Sequence, residues 1–197
     1  MSEQSVNIGI CGLGTVGSGT FNLLEKNAAV IAARALAPLR VIHVGARRDN
    51  PDCDLGSIRL SRDIFEVARD PEVDILVELI GGTTVAKELV ELAIREGKHV
   101  VTANKALIAE CGNEIFALAQ EHGVEVRFEA AVAGGIPIIK ALREGLAGNR
   151  IEWLAGIING TGNFILTEMR NKGRDFAEVL AEAQALGYAE ADPTFDV

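Results

Sequence analysis

The chain has 197 residues, 48% hydrophobic and 24% charged, with a formal net charge of −9. That composition excludes a disordered chain and suffices for one large domain, or one domain and part of a second. The acidic balance argues against a nucleic-acid partner, since a phosphate backbone needs a basic face, but leaves room for one small basic pocket.

Met1-Ser2-Glu3-Gln4-Ser5 leads into only a short apolar run, whereas a signal peptide needs a basic start and a longer apolar core. No stretch approaches the roughly 20 apolar residues of a membrane span. Cys11, Cys53 and Cys111 are widely spaced and form no CxxC pair, so neither a zinc site nor a disulfide framework is expected. These features predict a reduced, cytoplasmic protein with no membrane or nucleic-acid partner.

The apolar run 6–11, stopped by glycine, predicts a buried parallel strand. Val16, Phe21, Leu24, Val30 and Ile31 recur near helical spacing, which predicts one helix over 15–37, ended by Pro38. A second strand is expected at 41–46 and a short helix at 63–69, capped near Ser61 or Asp63. A third strand follows at 74–79, a helix at 85–96 closed by Gly97, and a fourth strand at 99–102. A helix over 113–122, ended by Gly123, precedes a fifth strand at 124–128. Strands alternating with helices predict an α/β domain with a doubly wound parallel sheet.

The alternation stops near Ala130. Beyond it the pattern predicts a helix over 138–146, a strand over 151–158, and helices near 164–171 and 175–186. The expected organisation is a nucleotide domain over 1–132 and the start of a second, α+β substrate and dimerisation domain over 133–197.

Gly12-Leu13-Gly14-Thr15-Val16-Gly17 is a GxGxxG loop directly after a strand and opening a helix. The first glycine permits the tight turn, the second admits a pyrophosphate, and the third allows close helix–strand packing. In that setting the loop predicts a Rossmann-type site for a nicotinamide dinucleotide. Arg47 and Arg48 end the second strand, where NAD binders commonly carry an acidic residue. A guanidinium fits a 2′-phosphate, so NADP is expected; Asp49 keeps NAD open.

Gly81-Gly82-Thr83-Thr84 and Thr102-Ala103-Asn104-Lys105 follow the third and fourth strands, at the carboxyl edge where such sheets bind ligands. Lys105 opens a helix, a poor place for a cation without a ligand to meet. His43, His99 and His122 read as packing or surface residues. Asn159-Gly160 fits a hairpin turn, although the helical residues after it make a strand–loop–helix corner at least as good. Glu190 and Asp192 put carboxylates before Pro193, as an acidic turn or as a partner for a substrate ammonium.

The glycine loop, Thr102-Ala-Asn-Lys105, Glu129-Ala-Ala-Val-Ala-Gly-Gly-Ile-Pro137, Asn159-Gly-Thr-Gly-Asn-Phe164 and Gly187-Tyr-Ala-Glu-Ala-Asp-Pro193 occur in that order. Together they resemble homoserine dehydrogenase over essentially the whole chain, the last three being the more specific. The resemblance implies NAD(P)-dependent interconversion of L-homoserine and L-aspartate 4-semialdehyde, on the route to threonine and methionine. It places Leu13, Thr15, Val16, Thr83 and Gly187 at the cofactor, Lys105 at nicotinamide and substrate, and Glu190 at the substrate's amino group. It also implies a sodium loop at Glu129, Val132, Gly134 and Ile136, bound largely through backbone carbonyls. Family members continue with a substrate-binding Asp and a proton-donating lysine beyond position 197, and the full-length enzyme is expected to be a homodimer or homotetramer. The chain is therefore expected to bind dinucleotide yet be inactive alone. The alternatives are a non-catalytic NADP-binding module, or another semialdehyde dehydrogenase with a thiol nucleophile such as Cys111.

Overall fold

A computed structural model describes residues 5–156 and 159–189. Its strands are β1 (Val6–Cys11), β2 (Leu39–Gly45), β3 (Arg59–Ser61), β4 (Ile75–Glu78), β5 (His99–Thr102) and β6 (Val126–Arg127). They form one sheet in the order β3-β2-β1-β4-β5-β6, parallel throughout. The order reverses between β1 and β4, and the crevice outside the carboxyl ends of two such strands is where open α/β sheets bind ligands.

Helices cover both faces. On one face α1 (Thr15–Lys26) and α2 (Ala28–Ala35) follow β1, and Phe21 packs with Ile10 and Val44. On the other, α3 (Ile64–Arg69), α4 (Val85–Arg95) and α5 (Lys105–His122) bury Leu89, Ile94, Leu107 and Ile115 with Leu76 and Val100 of the sheet. The expected single helix over 15–37 is two helices, because Asn27 leaves helical geometry with φ −106° and ψ 15°. The sequence reading missed β3, a strand too short and polar to show a period. The helix that Lys105 opens and the helix expected over 113–122 are one continuous α5, capped by Asn104, whose side chain accepts from the Leu107 N–H at 3.1 Å. Asp63, not Ser61, caps α3 through the Phe65 N–H.

The chain divides into two compact units, Met1–Ala147 and Gly148–Val197. The sequence pattern changes earlier, near Ala130, yet the segment after it stays with the sheet. The Glu129 carboxylate accepts the N–H groups of Ile139 and Lys140, both at 2.9 Å, at the start of α6 (Ile138–Lys140). Arg127 donates to Glu144 in the π-type turn that follows α6.

The second unit contains α7 (Gly160–Lys172) and α8 (Phe176–Ala185) around Ile165, Val179, Ala183 and Ala189. Arg174 joins them, paired with Glu168 of α7 and with Glu178 and Glu182 of α8. The strand expected over 151–158 is absent from its described part: residues 151–156 have no regular structure. A strand needs a neighbour to take its N–H and C=O groups, and among the described residues the second unit supplies none. Its described elements are helices. Asn159 caps α7, accepting from the Gly162 N–H at 2.7 Å, so Asn159-Gly160 opens a helix rather than a hairpin. No described helix is long and apolar enough to cross a membrane.

Candidate dinucleotide site

The glycine loop joins β1 to α1 and lies against the loop after β4. Gly12 has φ +104°, and a Cβ there would meet the Leu79 carbonyl oxygen at 2.6 Å. A Cβ on Gly17 would fall 2.0 Å from the Gly12 carbonyl oxygen. The fold itself therefore demands these two glycines. Gly14 differs: its φ of −72° suits any residue, and no atom lies within 4 Å of its would-be Cβ. It caps α1, whose first turn has no side-chain cap hydrogen bond and no acidic residue. Gly14, Thr15 and Val16 are exposed while Leu13 and Gly17 are buried. The first turn of α1 thus presents backbone N–H groups beside open space, an arrangement that takes an anion.

The segment after β2 borders this loop. Asn50 donates to the Leu13 carbonyl at 2.8 Å, tying the two together. Arg47 and Arg48 are exposed and have no ion pair among the described residues. Asp49 accepts from Arg62 at 2.7 Å, and Arg62 also donates to the Ala46 carbonyl at 3.1 Å. The sequence analysis passed over Asn50 and Arg62. A polar residue soon after the second strand was the only signal for the former, and none pointed to the latter, which follows the missed β3.

At the ends of β4 and β5 the structure brings Thr83 and Lys105 to the same sheet edge. Lys105 is the first residue of α5 and is exposed; Thr83 is half-buried. Beneath them lies a polar network. Glu78, fully buried, accepts from the N–H groups of Ile80 (2.9 Å) and Gly81 (3.1 Å) and from the Thr102 hydroxyl (2.5 Å). Thr102 Oγ1 accepts from the Asn104 N–H at 3.0 Å, and Asn104 Nδ2 donates to the Gly82 carbonyl at 2.7 Å. A charged residue closing the apolar strand Ile75–Glu78 was the available signal.

Both Glu129 carboxylate oxygens already accept N–H bonds, and the Ile136 carbonyl accepts from Ile138 at 2.8 Å. The loop containing Val132 and Gly134 turns through positive φ at Ala133 and Gly135. Among the described residues no group of three or more His, Cys, Asp or Glu could hold a metal, so a cation there would depend on backbone carbonyls. Gly187, in the second unit, has φ +75° and is exposed; Glu190 lies outside the described residues. The Cys11 thiol is buried, and burial followed by the Glu78 charge pushes its pKa up, away from nucleophilic use. Cys53 is shifted upward by burial and then by Asp52. Cys111 is half-buried midway along α5. His43 is a buried structural residue, held by Asp70 at 2.7 Å and Ser61 at 2.8 Å. His99 accepts from the Glu125 N–H.

A parallel sheet whose order reverses beside a glycine loop and an uncapped helix start defines a dinucleotide-binding domain of the Rossmann type. Comparison with known proteins takes this further. The model of the homoserine dehydrogenase NAD binding domain matches residues 12–129, and that of homoserine dehydrogenase itself matches residues 137–197. The chain belongs to the homoserine dehydrogenase family. It is 71% identical over 194 residues to a homoserine dehydrogenase of Pseudomonas aeruginosa, covering 98% of this chain and 45% of that protein. A solved homoserine dehydrogenase from Thiobacillus denitrificans is 61% identical with a TM-score of 0.91, covering 98% of this chain and 45% of that one. A hyperthermophilic archaeal homoserine dehydrogenase, solved in complex with NADPH, is 30% identical with a TM-score of 0.84, covering 98% of this chain and 65% of that one. The chain spans less than half the length of the curated relatives it matches.

Proposed function

We propose that the chain is the NADP-binding part and the beginning of the catalytic part of a cytoplasmic homoserine dehydrogenase. The whole enzyme would interconvert L-homoserine and L-aspartate 4-semialdehyde for threonine and methionine synthesis, as a homodimer or homotetramer. The observation that carries the cofactor half is Gly14: nothing among the described residues requires a glycine there, and the space over it adjoins the uncapped start of α1. A pyrophosphate entering from outside would require both.

In this assignment residues 1–132 form the cofactor domain and residues 133–197 begin the substrate domain. Bound nicotinamide would accept or supply the hydride at its C4. The chain's residues would do the rest. Backbone of Gly12, Leu13, Gly14, Thr15, Val16 and Gly17 would hold the pyrophosphate, with Thr83 and Gly187 as further cofactor contacts. Lys105, a cation at a helix start with no ion pair among the described residues, would face nicotinamide and substrate. Glu190 would take the substrate's ammonium. Arg47 and Arg48 would grip a 2′-phosphate; that preference is supported by their having no ion pair among the described residues and by Asp49, the acidic residue that follows them, being paired with Arg62. A sodium ion at the carbonyls of Glu129, Val132, Gly134 and Ile136 is proposed on the family resemblance, with the reversal at Ala133 and Gly135 in support.

Calorimetry tests the proposal. NADPH is expected to bind more tightly than NADH. Arg47→Ala should weaken NADPH and spare NADH, and Gly14→Val should abolish both while leaving the circular dichroism unchanged. A Gly14→Val chain that binds NADPH like the parent would refute the site; tighter binding of NADH would refute the NADP preference alone.

A further inference from the structure

Glu78 is a carboxylate with no exposed surface and, among the described residues, no cationic partner. A charge in that position is costly unless dipoles converge on it. Three donors do: the N–H groups of Ile80 and Gly81 on one oxygen and the Thr102 hydroxyl on the other. The bonds then run on around a ring. The single Thr102 hydroxyl hydrogen goes to Glu78, so its oxygen is left to accept from the Asn104 N–H; Asn104 Nδ2 returns to the Gly82 carbonyl, in the loop where the ring began. With both Glu78 oxygens accepting, every donor in the ring has an acceptor. Glutamine would turn one bond round, its Nε2 donating to Thr102 Oγ1; the Thr102 hydroxyl hydrogen then loses its acceptor, and the two N–H groups lose their carboxylate.

The ring has a place as well as a direction. Glu78 pairs in register with Cys11 on one side and Thr102 on the other, at the carboxyl edge of the sheet. It fixes the loop carrying Gly81, Gly82 and Thr83 to the start of α5, where Lys105 projects. The glycine loop and the end of β2 lie across the switch point, in the half that receives pyrophosphate and adenosine ribose. We propose that Glu78 is a positioning residue for the nicotinamide half of the dinucleotide: it touches no cofactor itself, and holds the loops after β4 and β5 at the separation that half requires. The proposal rests on the dinucleotide reading above.

The test uses the whole chain and two probes, NADPH and 2′,5′-ADP, the latter carrying only the adenosine half. In the parent, NADPH should bind more tightly than 2′,5′-ADP. Glu78→Gln is expected to weaken NADPH by about tenfold or more, roughly the 1.4 kcal/mol of one well-placed hydrogen bond, and to move 2′,5′-ADP by less than about twofold. Thr102→Val, which removes the hydroxyl that bonds Glu78 and accepts from the Asn104 N–H, should act in the same direction; if Glu78→Gln does not fold, Thr102→Val decides alone. The double variant should lose less than the sum of the two single losses, because both act on the Glu78–Thr102 bond. A folded Glu78→Gln with parental NADPH affinity overturns the proposal, as does equal weakening of both probes. So does a parent that binds NADPH no better than 2′,5′-ADP. A parent that binds neither probe overturns the dinucleotide reading itself and this proposal with it.

Discussion

The first unit buries Leu76, Leu89 and Ile94 completely between a six-stranded sheet and three helices. Among the described residues the second buries four apolar side chains, Ile165, Val179, Ala183 and Ala189, and leaves Trp153 at 79% and Leu166 at 68% exposure. The difference lies in what each stretch of sequence has available to pack on. Alternating strands and helices supply both faces of a core within one segment, so burial and backbone pairing complete each other locally. Two helices joined by a short turn supply one stripe each, and ion pairs from Arg174 do part of the joining. Apolar residues outside that stripe then remain at the surface.

Core truncation should separate the units most strongly. Leu89→Ala is expected to cost about 2–5 kcal/mol, read as a lower urea midpoint with an unchanged slope, whereas Leu166→Ala in the second unit should stay within about 0.5 kcal/mol. Comparable losses at both positions would erase the contrast. A smaller effect is expected at the glycine loop. Gly17→Ala drives a Cβ to 2.0 Å from the Gly12 carbonyl oxygen and should cost about 1–3 kcal/mol, while Gly14→Ala should leave the melting temperature in place.

The mildest test is acid titration of the first unit. Burial alone would raise the Asp70 carboxyl, but the Glu72 N–H, His43 and Arg59 outweigh it and hold its pKa below the usual carboxylate value. A folded-state pKa below the unfolded one means stabilisation present above the unfolded value, about 4, and lost as pH falls through it toward the folded one. The urea midpoint should therefore drop between about pH 5 and pH 3, and Asp70→Asn should flatten that part of the profile. An unaltered slope in Asp70→Asn would assign the acid sensitivity elsewhere.

How much could be read from the sequence depends on the reach of each signal. The glycine loop, the apolar runs of β1, β4 and β5 and the stop at Gly123 are local, and each appears in the structure where its residues predict it. Thr83, Lys105, Arg47 and Arg48 could be placed at one sheet edge because parallel topology fixes where strand ends point. The break at Asn27, the short β3 and the continuity of α5 through 105–122 depend on packing, and their periodicity is weak or absent. The strand expected over 151–158 failed for a related reason: a β-rich composition is a statement about partners, and the described second unit has none to offer. Glu78 was visible only as an oddity, a charge ending an apolar run, because its three donors come from the chain on either side of a β4–α4–β5 crossover.

Gly9 lies within β1 and Gly45 ends β2, and a glycine ordinarily weakens a strand. A Cβ on Gly9 would lie 2.4 Å from Val67 Cγ1, and one on Gly45 would lie 3.0 Å from Val67 Cγ2 and 3.1 Å from Ile64 Cα. The two missing side chains form a socket on the sheet, with Val67 as the plug. A helix of six residues has little stability of its own, so α3 owes its seat to this fit. The seat also positions the residue just beyond the helix: Asp70 reaches His43 and Arg59 only because α3 lies this close. A methyl group added to either strand would act at a distance, backing α3 away and drawing the carboxylate off both its partners.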